Sequence, residues 1–205
     1  MFPKEEILSR WFSAVTSPDF NAPDEPHSVL ADLPLPVYLT TNYDDFMCRA
    51  LRNRGKEPGR ELCRWNKFVR DLPSVFDTGF TPTPASPIVF HLHGHNEVPE
   101  SLVLSGDDYL DFLVNMSRDQ GLLPPRIQEA ISGSSLLFIG YSLQDWSFRV
   151  LFRGLVMAYE KTLRRVNVSV QLLPVSAEPP TTGSGRYRAR IGTDLRAGDW
   201  RDHRN

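Results

Sequence analysis

The chain has 205 residues, of which 40% are hydrophobic and 23% are charged, and its formal net charge is −2. This composition is typical of a globular domain with a core of its own, and the small net charge gives no reason to expect a nucleic-acid partner. No apolar run approaches the ~20 residues that span a membrane, and the N-terminus has no signal-peptide pattern. The two cysteines, Cys48 and Cys63, are too few for a four-cysteine zinc module. We expect a cytoplasmic protein with both thiols reduced.

The first half of the chain predicts one strand between two helices. Apolar residues at helical spacing over 5–16 predict an amphipathic helix, and the proline-rich segment 17–36 is typical of a loop. The apolar run at 37–40 predicts a strand, and a helix is expected from about 44 to 54. Residues 55–87 are polar and rich in proline, which predicts a long excursion from the main fold.

The second half alternates strands with helices. Ser105, followed three residues later by Asp108, is typical of a capping box at a helix start. The predicted elements are a strand at 88–92, a helix from Ser105 through Asn115, a helix from Pro125 to about Gly133, a strand at 135–139, a helix from about 145 to 164 and a strand at 166–173. This alternation predicts an α/β fold, a Rossmann-like and mostly parallel sheet with helices on both faces.

The last segment differs in character from the rest. Residues 174–205 contain Pro179-Pro180, Gly183-Ser184-Gly185 and many arginines without a clear hydrophobic period. We therefore expect one domain over 1–173 and a disordered tail over 174–205.

Three polar motifs each follow a predicted strand. They are Thr-Thr-Asn-Tyr-Asp at 40–44, His-Leu-His-Gly at 91–94 and Gly-Tyr-Ser at 140–142. Ligands of open α/β sheets bind beyond the carboxyl ends of the strands, so the three motifs predict one shared pocket. Its amide, carboxylate, imidazole and hydroxyl groups suit a nucleotide and its sugar hydroxyls.

These motifs in this order resemble the sirtuin-like NAD-cleaving domain of bacterial defence proteins, which is distantly related to sirtuin deacylases. The resemblance rests on TTNYDDF, on HLHGH with the later LVLSGDDY, and on LLFIGYSLQDWSFRVL, and it covers roughly residues 28–173. It implies a Rossmann-like fold that binds NAD as a substrate. It also implies cleavage of the nicotinamide–ribose bond, which yields nicotinamide and an ADP-ribose product.

The resemblance assigns a role to each motif. It implies that His93 is the general base, that Asn42 orients the attacking group and that Asp44 holds the nicotinamide end of NAD. An imidazole can take a proton near neutral pH, and an amide offers a donor and an acceptor to a sugar hydroxyl. The implied NAD-binding residues are Thr40, Thr41, Asp44, Gly94, Gly140 and Ser142.

Other interpretations of the same residues stay open. Asn42 can simply end a strand while Asp44 caps the next helix. His91, His93 and His95 stand two residues apart, so on a strand they would point the same way, as metal ligands do. We predict no metal site, because the strand is expected to end before His95, and we interpret His91 as a buried structural histidine.

The chain departs from the family pattern upstream of the first motif. The family has a glycine-rich phosphate-binding loop there, whereas the first glycine of this chain is Gly55. We therefore expect a domain that lacks its first βα unit, with a homo-oligomer or a partner chain to complete it. Two alternatives to an active NAD hydrolase follow: a catalytically inactive nucleotide-binding or interaction module, and an NAD-dependent protein deacylase.

Overall fold

The computed structural model describes Lys4, Glu6, residues 16–140 and two further strands, at 168–174 and 187–193. The chain divides into two compact units, residues 1–126 and residues 127–205. Most of the predicted helix over 5–16 and the whole predicted helix over 145–164 lie outside the described residues.

The first unit contains a three-stranded parallel sheet. Its strands are β1 (Val37–Thr40), β2 (Gly59–Leu62) and β3 (Ile88–His91), in the order β1-β3-β2. The last residue of β1 and the last residue of β2 both align with His91, the last residue of β3. All three carboxyl ends therefore meet at the same edge of the sheet.

The central strand is the most apolar of the three. Ile88, Val89 and Phe90 are completely buried, and His91 at its end is 1% exposed. A parallel strand that is covered on both faces is typically a continuous apolar run, which the sequence of β3 provides.

The described part of the first unit includes three complete helices. They are α1 (Pro26–Ala31), α2 (Phe46–Asn53) and α3 (Gly106–Arg118), with short 3₁₀ turns at Val75–Thr78, Pro99–Ser101 and Gln120–Leu122. Helices α1 and α2 pack together, and their core cluster consists of Ala31, Tyr38, Met47, Cys48, Ala50, Leu51 and Val89.

The predicted capping box at the start of α3 is confirmed. The hydroxyl of Ser105 accepts a hydrogen bond from the Asp108 N–H, and the Asp108 carboxylate accepts from the Ser105 N–H. Each bond satisfies a backbone donor that the first turn of a helix leaves unpaired.

The second unit has its own small sheet. Helix α4 (Pro125–Gly133) leads into β4 (Leu137–Ile139), which pairs in parallel with β5 (Val168–Pro174), and β6 (Tyr187–Thr193) pairs with β5 in antiparallel orientation. The predicted start of α4 at Pro125 is confirmed. Proline at the first helical position loses no hydrogen bond, because that N–H has no intrahelical partner.

The structure differs from the sequence-based expectations in three segments. Helix α1 forms within the predicted loop 17–36, and β2 forms within the predicted excursion 55–87. Strand β6 lies inside the predicted disordered tail 174–205, whose other residues beyond Pro174 lie outside the described part. Residues 187–191 alternate an apolar or aromatic residue with arginine, and this period of two favours a strand.

The α/β prediction is confirmed as a mixed helix and strand architecture with a parallel sheet, as in a Rossmann-like fold. Within the part of the chain that the structure describes, no helix has both the length and the apolar character to cross a membrane.

Candidate functional site

The segments that follow β1 and β3 lie side by side at the carboxyl edge of the first sheet. The Leu92 N–H donates to the Thr40 carbonyl (2.8 Å), and the Asn96 N–H donates to the Tyr43 carbonyl (2.8 Å). These bonds continue the strand pairing beyond the last residues of the strands. They bring the segment that carries Asn42 beside the segment that carries His93.

Asn42 is held by its backbone and presents its side chain outward. Its N–H donates to Thr40 Oγ1 (3.0 Å), and its carbonyl oxygen lies 3.1 Å from His91 Nδ1. The residue as a whole is exposed. Asn42 is therefore accessible to solvent, and its contact with a ligand at this sheet edge stays a prediction.

The neighbouring motif residues have local structural roles. Asp44 Oδ1 accepts from the Phe46 N–H (3.0 Å), which is the first N–H of α2. The N-cap position itself is Asp45, whose side chain makes no capping bond, so Asp44 supports the helix start from the residue before the cap. Thr40 uses its hydroxyl oxygen for Asn42, and Thr41 is partly exposed. These hydrogen bonds lie within the protein, so the NAD contacts of Thr40, Thr41 and Asp44 stay predictions.

His93 packs against two aromatic side chains of α3. The Phe112 and Tyr109 rings meet the imidazole edge-on, with ring centroids 5.0 and 5.9 Å away. The buried Nε2 atom of His93 has no hydrogen-bond partner among the described residues. Burial lowers the pKa of His93 to about 4, because desolvation penalises the imidazolium. The ring is therefore neutral at pH 7, with one nitrogen still to be satisfied.

Gly94 is required by the protein's own backbone. Its φ is +89°, a region that disfavours residues with a side chain, and a Cβ at this position would overlap the Ser101 carbonyl. The sequence predicted that this glycine lets a ligand approach. The structure places the 3₁₀ turn containing Ser101 against it, and the approach of a ligand to Gly94 stays a prediction. The Ser101 hydroxyl also accepts from the His95 N–H (2.9 Å).

The three histidines do not share one environment. Strand β3 ends at His91, so the expectation that the strand ends before His95 is confirmed. The rings of His91 and His95 contact each other edge-on, 4.8 Å apart, whereas His93 contacts α3. Among the described residues, no group of three histidine, cysteine or acidic side chains is arranged to hold a metal ion.

A charged pair lies over His95. Arg60 Nη1 is 3.2 Å from His95 Nε2, and Arg60 forms an ion pair with Glu97 (2.6 Å). Burial, followed by the nearby guanidinium, lowers the pKa of His95 to about 4. Burial likewise lowers the pKa of His91 to about 4. Both rings are therefore neutral at pH 7.

Comparison with known proteins identifies the family. Residues 36–188 match the model of the SIR2-like domain, which is most of the chain. The chain belongs to the SIR2-like domain family. This match includes all three motifs, the first sheet, β4 and β5, but only the first two residues of β6.

Several curated proteins resemble this SIR2-like chain, and each bears the name NAD(+) hydrolase ThsA. The protein from Bacillus cereus (strain MSX-D12) is 30% identical over 145 residues, which is 69% of this chain and 26% of the relative. The protein from Acinetobacter baumannii (strain 532279) is 27% identical over 147 residues, 70% of this chain and 27% of the relative. The protein from Cytobacillus dafuensis is 30% identical over 122 residues, which is 60% of this chain and 22% of the relative. The chain thus spans about a quarter of the length of these relatives.

The third motif of the SIR2-like domain lies in the second unit. Gly140 directly follows β4 and has a φ of +78°, which favours glycine. A Cβ at Gly140 would meet no atom of the described residues within 4 Å, so the backbone conformation is what favours glycine here. Ser142 lies outside the described residues. The predicted NAD contacts of Gly140 and Ser142 stay predictions.

Sequence reasoning missed two residues that pack against the candidate site of this SIR2-like domain. The interpretation of His91 as a buried structural histidine is confirmed, since the residue is 1% exposed and its Nδ1 reaches the Asn42 carbonyl. Tyr109 and Phe112 were not assigned to the site, but they pack against His93. The sequence does contain a pattern that indicates the aromatic pair. Tyr109 and Phe112 stand three residues apart, so they lie on one face of the predicted helix.

Proposed function

We propose that this SIR2-like domain binds NAD and hydrolyses its nicotinamide–ribose bond. The observation that carries the proposal is the unpartnered, buried Nε2 of His93, on a segment adjacent to the one that presents the exposed Asn42. A neutral imidazole with a free lone pair can accept a proton, and an amide can orient a hydroxyl or a water molecule. The names of the curated relatives support NAD as the substrate.

In the proposed step, His93 accepts a proton from a water molecule that attacks the anomeric carbon of the nicotinamide ribose. The new C–O bond replaces the C–N bond, whose electron pair leaves with neutral nicotinamide, and the other product is ADP-ribose. Asn42 orients the attacking water, and Asp44 holds the nicotinamide end. Thr40, Thr41 and Gly94 line the same strand ends, and Gly140 and Ser142 are the proposed contacts of the other nucleoside.

The test follows nicotinamide release from NAD by chromatography. We expect His93→Ala to lower the rate by about 10²- to 10⁴-fold, since it removes the base. Asn42→Ala should also lower it, while each variant keeps the wild-type circular dichroism spectrum. His27→Ala is the matched control, because His27 lies on α1 outside the motifs. Wild-type rates in both site variants would refute the assignment.

The same experiment distinguishes a second candidate. The Nε2 atom of His93 is buried, its ring packs against Phe112, and burial lowers its pKa to about 4, so the imidazole is a weak base. This feature favours a catalytically inactive nucleotide-binding or interaction module. NAD binding in a calorimetric titration, without any nicotinamide release, would support that module and contradict hydrolysis.

We also propose a cellular setting for the domain. The two cysteines are buried free thiols, which suits the cytoplasm of a bacterium, where the family resemblance implies a role in defence. Strands β1 and β2 are the outer strands of the first sheet as described, and such edges favour pairing with another copy or a partner chain. Light scattering during size-exclusion chromatography tests this, and a monomer at high concentration would contradict self-association.

A further inference from the structure

The backbone of Asn42 is held by side chains. Its N–H donates to Thr40 Oγ1 (3.0 Å), and its carbonyl faces His91 Nδ1 (3.1 Å). The flanking bonds, from Leu92 to Thr40 and from Asn96 to Tyr43, are ordinary backbone pairs. The position of Asn42 therefore depends on one hydroxyl and one imidazole, which together we call the Asn42 clamp.

We propose that the Asn42 clamp, and His91 in particular, positions Asn42 for the reaction at His93. This inference rests on the proposed function. His91 is a positioning residue and not a catalytic one, because its contact is with the carbonyl of Asn42. A shift of about 1 Å in an orienting group can cost about 10²-fold in rate, so a residue that fixes the backbone beneath such a group affects turnover.

The surroundings of His91 fix the direction of this hydrogen bond. A carbonyl oxygen only accepts, so the proton of the neutral ring resides on Nδ1. The ring is 1% exposed and lies edge-on against His95. Its Nε2 is buried without a partner among the described residues. Because the Nδ1 bond is the ring's polar contact, a turn of the imidazole would release the Asn42 carbonyl.

A matched pair of substitutions isolates the hydrogen bond. Asparagine has an amide nitrogen at the same distance from Cβ as His91 Nδ1, so His91→Asn keeps a donor. Leucine places a methyl group there, so His91→Leu fills the space without a donor. We expect His91→Leu to lower kcat by about 10- to 100-fold, with KM changed less than about threefold, and His91→Asn to recover most of that loss. Equal activities of the two variants would overturn the proposal.

A double-substitution cycle separates positioning from general damage to the fold. If His91 acts through the Asn42 side chain, His91→Leu should have no further effect on kcat when combined with Asn42→Ala. An undiminished effect in that background would show that His91 acts by another route, and the proposal would be wrong.

Hydrogen exchange tests the clamp without relying on activity. Thr40→Val removes the acceptor of the Asn42 N–H but leaves the Thr40 carbonyl, which accepts from Leu92. We expect the exchange of the Asn42 amide to accelerate at least about tenfold relative to the Leu92 amide, and Thr40→Ser to restore protection. Unchanged exchange in Thr40→Val would refute the clamp. An inactive wild-type chain that shows the expected exchange would refute the proposed function alone.

Discussion

His93 combines a position suited to catalysis with a pKa well below that of a free imidazole. Its ring is covered by Tyr109 and Phe112, and burial is the cause of the lowered pKa. Among the described residues, no acidic neighbour contributes to that shift. An imidazole of this kind is a weak base that is fully deprotonated at pH 7. Its reactivity therefore depends on how a bound substrate changes the pKa of the ring.

This electrostatic situation predicts the pH dependence of the proposed reaction. The base is active when deprotonated, so kcat/KM should rise with pH and level off above the pKa of His93 in the free enzyme. With that pKa at about 4, the acid limb of the kcat/KM profile should lie near pH 4. Titration of His93 should cause no change in kcat/KM from pH 5.5 to 7. A limb near pH 6.5 that disappears in His93→Gln would contradict the buried, desolvated environment.

Two glycines with similar backbone conformations separate strain from steric overlap. Gly94 and Gly79 have φ values of +89° and +80°, but a Cβ would overlap the Ser101 backbone only at Gly94 and would meet nothing within 4 Å at Gly79. We expect Gly79→Ala to cost about 1–2 kcal/mol, the strain of a left-handed residue. Gly94→Ala should cost several kcal/mol more, because Ser101 must move. Urea unfolding measures both, and equal losses would show that the Ser101 turn yields freely.

Among the elements, β2 shows why a strand can escape sequence analysis. The segment Gly-Arg-Glu-Leu at 59–62 has two charges in four residues, and nothing in that pattern predicts burial. The Glu61 carboxylate is nevertheless buried, because Arg64 and Ser74 donate to it along with the N–H groups of Leu62 and Val75. These partners come from the excursion that follows, so the strand and the excursion depend on each other.

Removing the Glu61 carboxylate should therefore unfold this region. We expect Glu61→Ala to destabilise the protein by about 3–5 kcal/mol, since it leaves a partly buried guanidinium and several backbone donors without an acceptor. Glu97→Ala is the control, because Glu97 also pairs with an arginine but is 60% exposed, and we expect a loss within about 1 kcal/mol. Chemical denaturation measures both, and similar losses would contradict the central role of Glu61.

The elements that sequence analysis predicted are those with local signals. Strand β3 is an uninterrupted apolar run, α3 begins with a capping box, and α4 begins with a proline. Helix α1 was missed because its segment is rich in proline, although Pro26 occupies the start of a helix whose cap is Glu25. Strand β2 pairs with β3, and two donors to Glu61, Ser74 and Val75, lie 13 and 14 residues away in sequence, so no local pattern reveals these bonds.

At the scale of the molecule, strand ends predicted which segments meet, but not which atoms do. The proximity of the Asn42 and His93 segments follows from two parallel neighbours, β1 and β3, whose ends align. The clamp on Asn42 does not follow from any spacing rule, because it depends on how the chain turns after Thr40. The cover over His93 likewise depends on how α3 packs, which is a tertiary feature.

Three histidines with lowered pKa values in one short segment also predict the acid stability of the molecule. His91, His93 and His95 have pKa values of about 4 in the folded state, against 6.5 for a free imidazole. Below pH 6.5 the unfolded state therefore binds more protons than the folded state. The free energy of unfolding should be highest above pH 6.5 and should fall as the pH decreases from 6.5 to 4.

The size of this effect separates it from ordinary acid unfolding by carboxylates. Each buried histidine contributes a slope of up to about 1.4 kcal/mol per pH unit, so urea unfolding at pH 7, 6 and 5 should show a steep loss of stability. The carboxyls with lowered pKa values, such as Glu97 and Asp108, add their loss only below the ordinary carboxyl range. His91→Asn removes one titrating ring while keeping a hydrogen-bond donor. The free energy of unfolding of this variant should therefore fall less steeply with decreasing pH, by the contribution of one histidine. A free energy of unfolding that is flat between pH 6.5 and 5 would mean that the histidine segment is hydrated in solution. The claim that burial lowers the pKa of His93 would then be wrong as well.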